Sequence, residues 1–207
     1  MNIKKKKLTS RQKQSLETKK RIHSTSMKLF HKYGYHNVSI SQITKEANVS
    51  KGSFYTHFST KSDVLKEHYI DDDNHYLDFE ETLDTLLTTK EKLIAFTNYM
   101  YSWIDQEAGN ELIRVIYGYM LDSNSDNSGF LNPDRPFYQI LMRIVEEGQS
   151  NGALRKDLSP FELVQVIVRN YRGVFFDWGL SQGSYDIVQR GLLSMNVILD
   201  GLLIDKK

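Results

Sequence analysis

The sequence predicts an all-α protein: a basic arm, a small helix-turn-helix domain, then a larger helical domain. Three observations carry that expectation. Apolar residues recur every three or four positions along most of the chain, and no segment sustains an alternation of period two. The 207 residues include only 3 Pro, so long helices meet few breaks. Charge is unevenly divided: residues 1–66 hold 15 Lys and Arg against 3 acids, net +12, whereas 67–207 hold 12 against 23, net −11. A patterned, basic first third points to a polyanion, most simply nucleic acid.

Residues 1–15 are polar, basic and aperiodic, with Lys4–Lys7 at their centre, and read as a flexible arm. From Leu16 onward Ile22, Ser26, Leu29, Phe30 and Tyr33 line one face of a first helix, and Gly34 supplies a left-handed stop. Ser39-Ile40-Ser41-Gln42 has the form of a capping box and opens a helix of about two turns that carries Ile40, Ile43 and Ala47. Asn48-Val49 ends it. Ser50 caps a third helix over 51–58, anchored by Phe54 and Phe58. Thr60-Lys61-Ser62-Asp63 caps a fourth, which Val64, Leu65, Tyr69, Tyr76, Leu83 and Leu86 carry forward.

The larger domain is expected over 65–207, after a helix-turn-helix domain over 16–64. Thr88-Thr89-Lys90-Glu91 opens a helix with Leu93, Phe96, Met100, Trp103 and Ile104 on one side. Residues 110–121 form a short apolar helix, 122–136 a polar loop, 137–147 a helix and 148–159 a turn region. Two long apolar helices over 161–180 and 185–203 close the chain, for about nine helices in all. Each of these two is apolar on more than one face, so one face remains for a second copy of the chain.

Composition excludes several functions. With no Cys there is no disulfide framework, thiolate metal site or cysteine nucleophile, which fits a reducing, cytoplasmic compartment. No apolar run follows Lys4–Lys7, so no secretory signal is expected, and no stretch approaches the roughly 18 apolar residues of a membrane span. There is no P-loop, no Gly-rich dinucleotide turn, no G-x-S-x-G elbow and no H-E-x-x-H pair. The expectation is a protein that is not an enzyme and has no cofactor.

Two short helices joined by a tight turn form a helix-turn-helix, whose second helix can enter the DNA major groove. Here Phe54 and Phe58 fix that helix to the core and leave Lys51, Ser53, Thr56 and His57 on its other faces. Lys51 can donate to guanine O6 and N7, and Gly52 lets backbone approach closely.

The runs Val38-Ser39-Ile40-Ser41-Gln42-Ile43 and Ala47-Asn48-Val49-Ser50-Lys51-Gly52-Ser53-Phe54-Tyr55-Thr56-His57-Phe58-Ser59-Thr60-Lys61 resemble the DNA-binding domain of the tetracycline-repressor (TetR) family. The resemblance covers about residues 18–69. More loosely, Glu146 to Gln149, Gly152, Leu154, Arg155 and Leu158-Ser159-Pro160 are similar to the family's link into its last two helices. The resemblance implies roles. Ser39, Ser41 and Ser50 would bind phosphate; Lys51, Gly52 and Ser53 would face base edges. Tyr55 and His57 would contact phosphates, Thr56 would sit at the groove floor or backbone, and Lys61 would clamp a further phosphate. It also implies a homodimer through the last two helices, an operator that is an inverted repeat in double-stranded DNA, and an unidentified small-molecule effector. Effector binding would shift the fourth helix and release the operator.

Aromatic and Met residues of the larger domain are candidates for an effector pocket: Tyr99, Met100, Trp103, Tyr117, Met120, Phe137, Met142, Tyr171, Phe175 and Trp178. Core packing accounts for most such residues. Asp105, Glu107 and Asp177 could meet a cationic ligand; Arg169 and Arg172 could meet a carboxylate. On a continuous fourth helix His68, Asp71 (or Asp72) and His75 would share a face able to hold a divalent metal, although a solvated acidic face explains them as well.

Overall fold

A computed structural model of the chain describes residues 9–68, 73–84, 87–122 and 127–204. Among them eleven helices form, and no β-strand. They fall into two compact units, Met1–His68 and Tyr69–Lys207.

The first unit holds α1 (Ser10–Tyr33), α2 (Ile40–Glu46), α3 (Lys51–His57) and α4 (Lys61–Lys66). Helix α1 starts earlier than the apolar pattern predicts. Thr9 accepts a hydrogen bond from the Gln12 N–H while the Gln12 side chain accepts one from the Thr9 N–H. This capping box adds a polar, solvent-exposed turn and a half that hydrophobic periodicity cannot reveal. Residues 10–15 are therefore helical rather than part of an arm, and Lys4–Lys7 lie outside the described residues. Gly34 follows α1 at φ 80°, with ψ extended at 149° rather than helical.

Helices α2, α3 and α4 all pack on α1. Ile22, Phe30, Val38, Ile43, Ala47, Phe54, Phe58, Val64 and Leu65 are buried among them. Asn48, at φ 50°, makes the turn between α2 and α3; its short polar side chain tolerates the left-handed region better than most residues.

The second unit holds α5 (Asn74–Glu80), α6 (Thr89–Glu107), α7 (Gly109–Leu121), α8 (Ser128–Leu131), α9 (Pro136–Ser150), α10 (Pro160–Leu180) and α11 (Ile187–Leu202). Helix α6 packs against α7, α9 and α11, and α10 against the same three, so these two long helices centre the unit. The Lys92 ammonium ties α6 to α9 through both oxygens of Glu147. Thr88 and Ser159 cap α6 and α10 with reciprocal bonds to Glu91 and Glu162.

The fourth helix is not continuous. Helix α4 ends at Lys66, a wider π-type turn covers Glu67–His68, Asp73 is not helical, and α5 begins at Asn74. Of the residues expected to carry it forward, Tyr69 and Leu86 lie outside the described residues, Tyr76 is buried on α5, and Leu83 follows a turn. The apolar spacing of 64, 65, 69, 76 and 83 suits two short helices as well as one long one. The polar loop expected over 122–136 contains the single turn α8.

Candidate nucleic-acid interface and ligand cavity

The interface candidates all lie on the first unit. Helix α3 is held from beneath by Phe54, fully buried, with Phe58 against it at 5.8 Å between ring centres. That anchoring leaves Lys51, Gly52, Tyr55 and Thr56 exposed, with Ser53 and His57 half-buried. Tyr55 is 54% exposed, which leaves its ring open to an outside partner. A Cβ added at Gly52 would meet nothing closer than Ser50 Oγ at 3.7 Å. The chain itself thus does not require glycine there, and any demand for a bare backbone comes from outside.

The hydroxyls have defined partners. Ser39 Oγ accepts from the Gln42 N–H at 3.1 Å and Ser50 Oγ from the Ser53 N–H at 3.0 Å, which caps α2 and α3. In each the hydroxyl proton remains available to an outside acceptor such as phosphate. Ser41 is exposed, and its carbonyl accepts from the Thr44 hydroxyl. Thr56 donates its own proton to the Gly52 carbonyl at 2.9 Å. What it presents outward is a methyl group and lone pairs, which suits a base edge better than a phosphate oxygen.

Lys61 is built into the fold. Its ammonium donates to the Tyr35 carbonyl at 2.8 Å and the Val38 carbonyl at 2.6 Å and lies 4.3 Å from the Tyr35 ring centre. It fastens the α1–α2 connection to the start of α4. The Tyr35 hydroxyl shares a hydrogen bond with Ser62 Oγ, and burial raises its pKa above the ordinary phenol value. Sequence reasoning passed over Tyr35 because it lies between helices, where periodicity gives no signal.

The second unit contains a cavity of about 80 Å³. Six of the ten pocket candidates line it: Met100, Tyr117, Met120, Phe137, Tyr171 and Phe175. Tyr76, Ile104, Ile113, Ile116, Val168, Phe130, Tyr138, Arg135 and Arg172 complete its lining. The other four candidates do not line it. The Tyr99 hydroxyl donates to the His75 carbonyl, and its ring stacks on Phe79. Trp103 lies flat on the His75 ring at 3.9 Å, and Trp178 is buried with its N–H on the Tyr185 carbonyl. Met142 is half-buried on α9. Of the charged candidates, Asp105, Glu107 and Arg169 are exposed away from the cavity, and Asp177 accepts from the Tyr185 hydroxyl.

Burial pushes the Tyr76, Tyr117 and Tyr171 phenols well above their ordinary range, so they act as neutral donors and acceptors. The two guanidinium groups differ. Arg135 makes a two-pronged pair with Asp73, whose side chain is only 3% exposed. Arg172 donates one N–H to the Tyr138 hydroxyl at 2.5 Å and lies 4.5 Å above the Phe130 ring, but its buried Nε has no partner.

The metal face does not form as one helical stripe. The His68 ring lies 5.2 Å from that of His23, and His75 is stacked on Trp103, with Nδ1 3.0 Å from the Tyr99 hydroxyl. Asp71 and Asp72 lie outside the described residues. Among the described residues no group of three His or carboxylate side chains is placed to hold a metal, and no helix is long and apolar enough to cross a membrane.

Comparison with known proteins places relatives beside this geometry. The sequence model of the bacterial regulatory proteins of the tetR family matches residues 22–68, the stretch from the middle of α1 to the end of α4. The fatty acid metabolism regulator protein of Bacillus subtilis is 24% identical over 172 residues, 82% of this chain and 87% of the relative. The probable acrEF/envCD operon repressor of Escherichia coli K12 is 21% identical over 202 residues, 93% of this chain and 90% of the relative. Among solved structures, the Thermus thermophilus FadR, a TetR-family transcriptional repressor in complex with lauroyl-CoA, superposes with a TM-score of 0.73. It is 18% identical and covers 91% of this chain and 97% of its own.

Proposed function

Because this chain belongs to the tetR family of bacterial regulatory proteins, we propose that it is a cytoplasmic, homodimeric repressor that leaves an inverted-repeat operator when a small molecule fills the cavity of its second unit. It is a DNA-binding transcriptional regulator and not an enzyme. The observation that carries the reading is α3: an anchored helix with Lys51, Gly52, Tyr55 and Thr56 turned outward, inside the stretch that matches the family. Lys51, Gly52 and Ser53 meet base edges, and Thr56 meets a base edge or the backbone. Ser39, Ser41, Ser50, Tyr55 and His57 meet phosphates. Lys61, whose ammonium donates to the Tyr35 and Val38 carbonyls, stands at the start of α4 and meets a further phosphate.

The dimer rests on α10 and α11. Leu193 and Val197, one turn apart on α11, are 56% and 66% exposed. Gly173 on α10 and Gly201 on α11 have no atom within 4 Å of where a Cβ would stand. Gly173 lies mid-helix, where glycine costs about 1 kcal/mol relative to Ala, and nothing among the described residues needs a glycine at either place. Close approach of a second copy accounts for the glycines and the apolar pair together. Two-fold protein symmetry then imposes two-fold symmetry on the operator.

Release follows from covalent continuity. Tyr76 of α5 lines the cavity, and only residues 67–73 separate α5 from α4. A ligand that moves Tyr76 pulls on α4 and changes the spacing of the two reading helices. A structural neighbour solved with lauroyl-CoA supports a small-molecule effector in this unit.

Gel shifts with the DNA flanking the protein's own gene test the reading. A shifted complex whose log affinity falls steeply and linearly with log salt is expected. Val197→Glu should give a monomer in sedimentation and abolish the shift. Tight operator binding by a monomeric variant would refute the coupling of dimer and recognition.

A further inference from the structure

Arg172 is the feature of the cavity that packing does not explain. Two guanidinium groups line one apolar chamber. That of Arg135 is neutralised by the buried carboxylate of Asp73. Among the described residues no carboxylate pairs with Arg172. Its contacts are one neutral phenol, from Tyr138, and one ring face, from Phe130, and its Nε–H is buried and unbonded. A half-buried charge with no carboxylate partner among the described residues and a buried donor without an acceptor are both unfavourable. A folded chain that keeps both beside a cavity holds a place for a bidentate anion, because the guanidinium fork matches a carboxylate in width and direction.

The space sets the rest of the ligand. About 80 Å³ has room for a handful of water-sized groups, which suits a compact body better than an extended chain. Most of the remaining lining is apolar, with Met100, Ile104, Ile113, Ile116 and Val168 among it. We infer that the effector is a compact monocarboxylate with a branched aliphatic or aromatic body, its carboxylate held by Arg172 and the Tyr138 hydroxyl. This inference deepens the proposed function and rests on the cavity being the effector site. It sets this chain apart from the relative solved with an acyl thioester, in which the acyl group itself carries no free carboxylate.

Calorimetry on the full-length protein without DNA tests it, with isovalerate and benzoate against their neutral amides, isovaleramide and benzamide, and against lauroyl-CoA. At least one acid should bind, more than about tenfold tighter than its amide. Arg172→Met should remove that preference. Overturning results are no binding of either acid, equal binding of acid and amide, or binding of lauroyl-CoA alone. A second measurement needs no ligand. A half-buried guanidinium with no carboxylate partner among the described residues adds little to stability, so Arg172→Met should melt no lower than the parent protein. A fall of several degrees would make Arg172 a strut between Tyr138 and Phe130 and overturn the inference. Because binding is read in the absence of DNA, loss of operator release with intact acid preference would fault the regulatory reading while leaving the carboxylate site itself standing.

Discussion

The two units of this chain keep their chemistry on opposite sides of their surfaces. In the first, the groups that meet a partner are exposed and spaced along one short helix: Lys51, Gly52, Tyr55 and Thr56, held from below by Phe54. In the second, the groups converge on an interior space from α5, α6, α7, α9 and α10: buried phenols, Met and Ile side chains, and one unpaired guanidinium. A surface that reads a long polymer needs few residues in fixed register on a rigid element. A chamber that selects a small molecule must enclose it, and so needs contributions from many elements. The contrast makes different measurements sensitive to each unit.

High pH should separate them most strongly. Burial raises the pKa of the Tyr76, Tyr101, Tyr117 and Tyr171 phenols far above the ordinary value of 10.0, and burial together with the Asp177 hydrogen bond pushes Tyr185 up to about 12. All five belong to the second unit. A phenol whose folded pKa exceeds its unfolded one contributes stability that is complete below pH 10 and is lost as pH climbs through the folded value. Both Trp residues, Trp103 and Trp178, also lie in this unit, so their fluorescence reports on it alone. Between pH 10 and 12 the tryptophan signal should collapse together with the appearance of tyrosinate absorbance. Gradual ionisation of all the tyrosines with unchanged fluorescence would show that the second unit is not closed as described.

How far each unit was legible follows from the same contrast. The short helices of the first unit were readable because caps and apolar anchors sit at fixed offsets: Ser39 and Ser50 three residues before the N–H groups they bind, Phe54 four before Phe58. The start of α1 was not, since Ser10 to Ser15 bury nothing and only the Thr9–Gln12 box orders them. Nor was the break after Lys66, because two short amphipathic helices can share the spacing of one long helix. For the cavity, sequence supplies residue types but not convergence. Met100 lines the chamber while Tyr99 and Trp103 on the same helix bind His75 instead. Arg135 and Arg172 are indistinguishable as letters; only the position of Asp73 separates a neutralised guanidinium from one with no carboxylate partner among the described residues.

Substitutions within α3 sharpen the contrast between anchor and reader. Phe54→Ala removes a fully buried ring from the first unit and should cost about 3–5 kcal/mol in unfolding free energy, with tryptophan fluorescence of the second unit unchanged. Lys51→Ala alters an exposed side chain and should leave melting unchanged while weakening operator binding by roughly 1–3 kcal/mol. If Lys51→Ala destabilised the protein and spared its affinity, the assignment of the two faces of α3 would be reversed.

The smallest expected effect distinguishes two roles of a single hydroxyl. Ser50 Oγ accepts the Ser53 N–H at 3.0 Å, and its proton is free for phosphate. Ser50→Ala removes both interactions and should lower stability by about 1 kcal/mol while weakening DNA binding. Ser50→Asp separates them. A carboxylate caps a helix as well as a hydroxyl does and favours the positive end of the helix dipole, so stability should be kept. It has no proton to donate, however, and its negative charge would face phosphate. Operator affinity should therefore fall further for Ser50→Asp than for Ser50→Ala, although the first is the more stable protein. The opposite ranking in the gel shift, with Ser50→Asp binding as tightly as the parent, would reduce Ser50 to a cap and leave the phosphate contact to Tyr55 and His57.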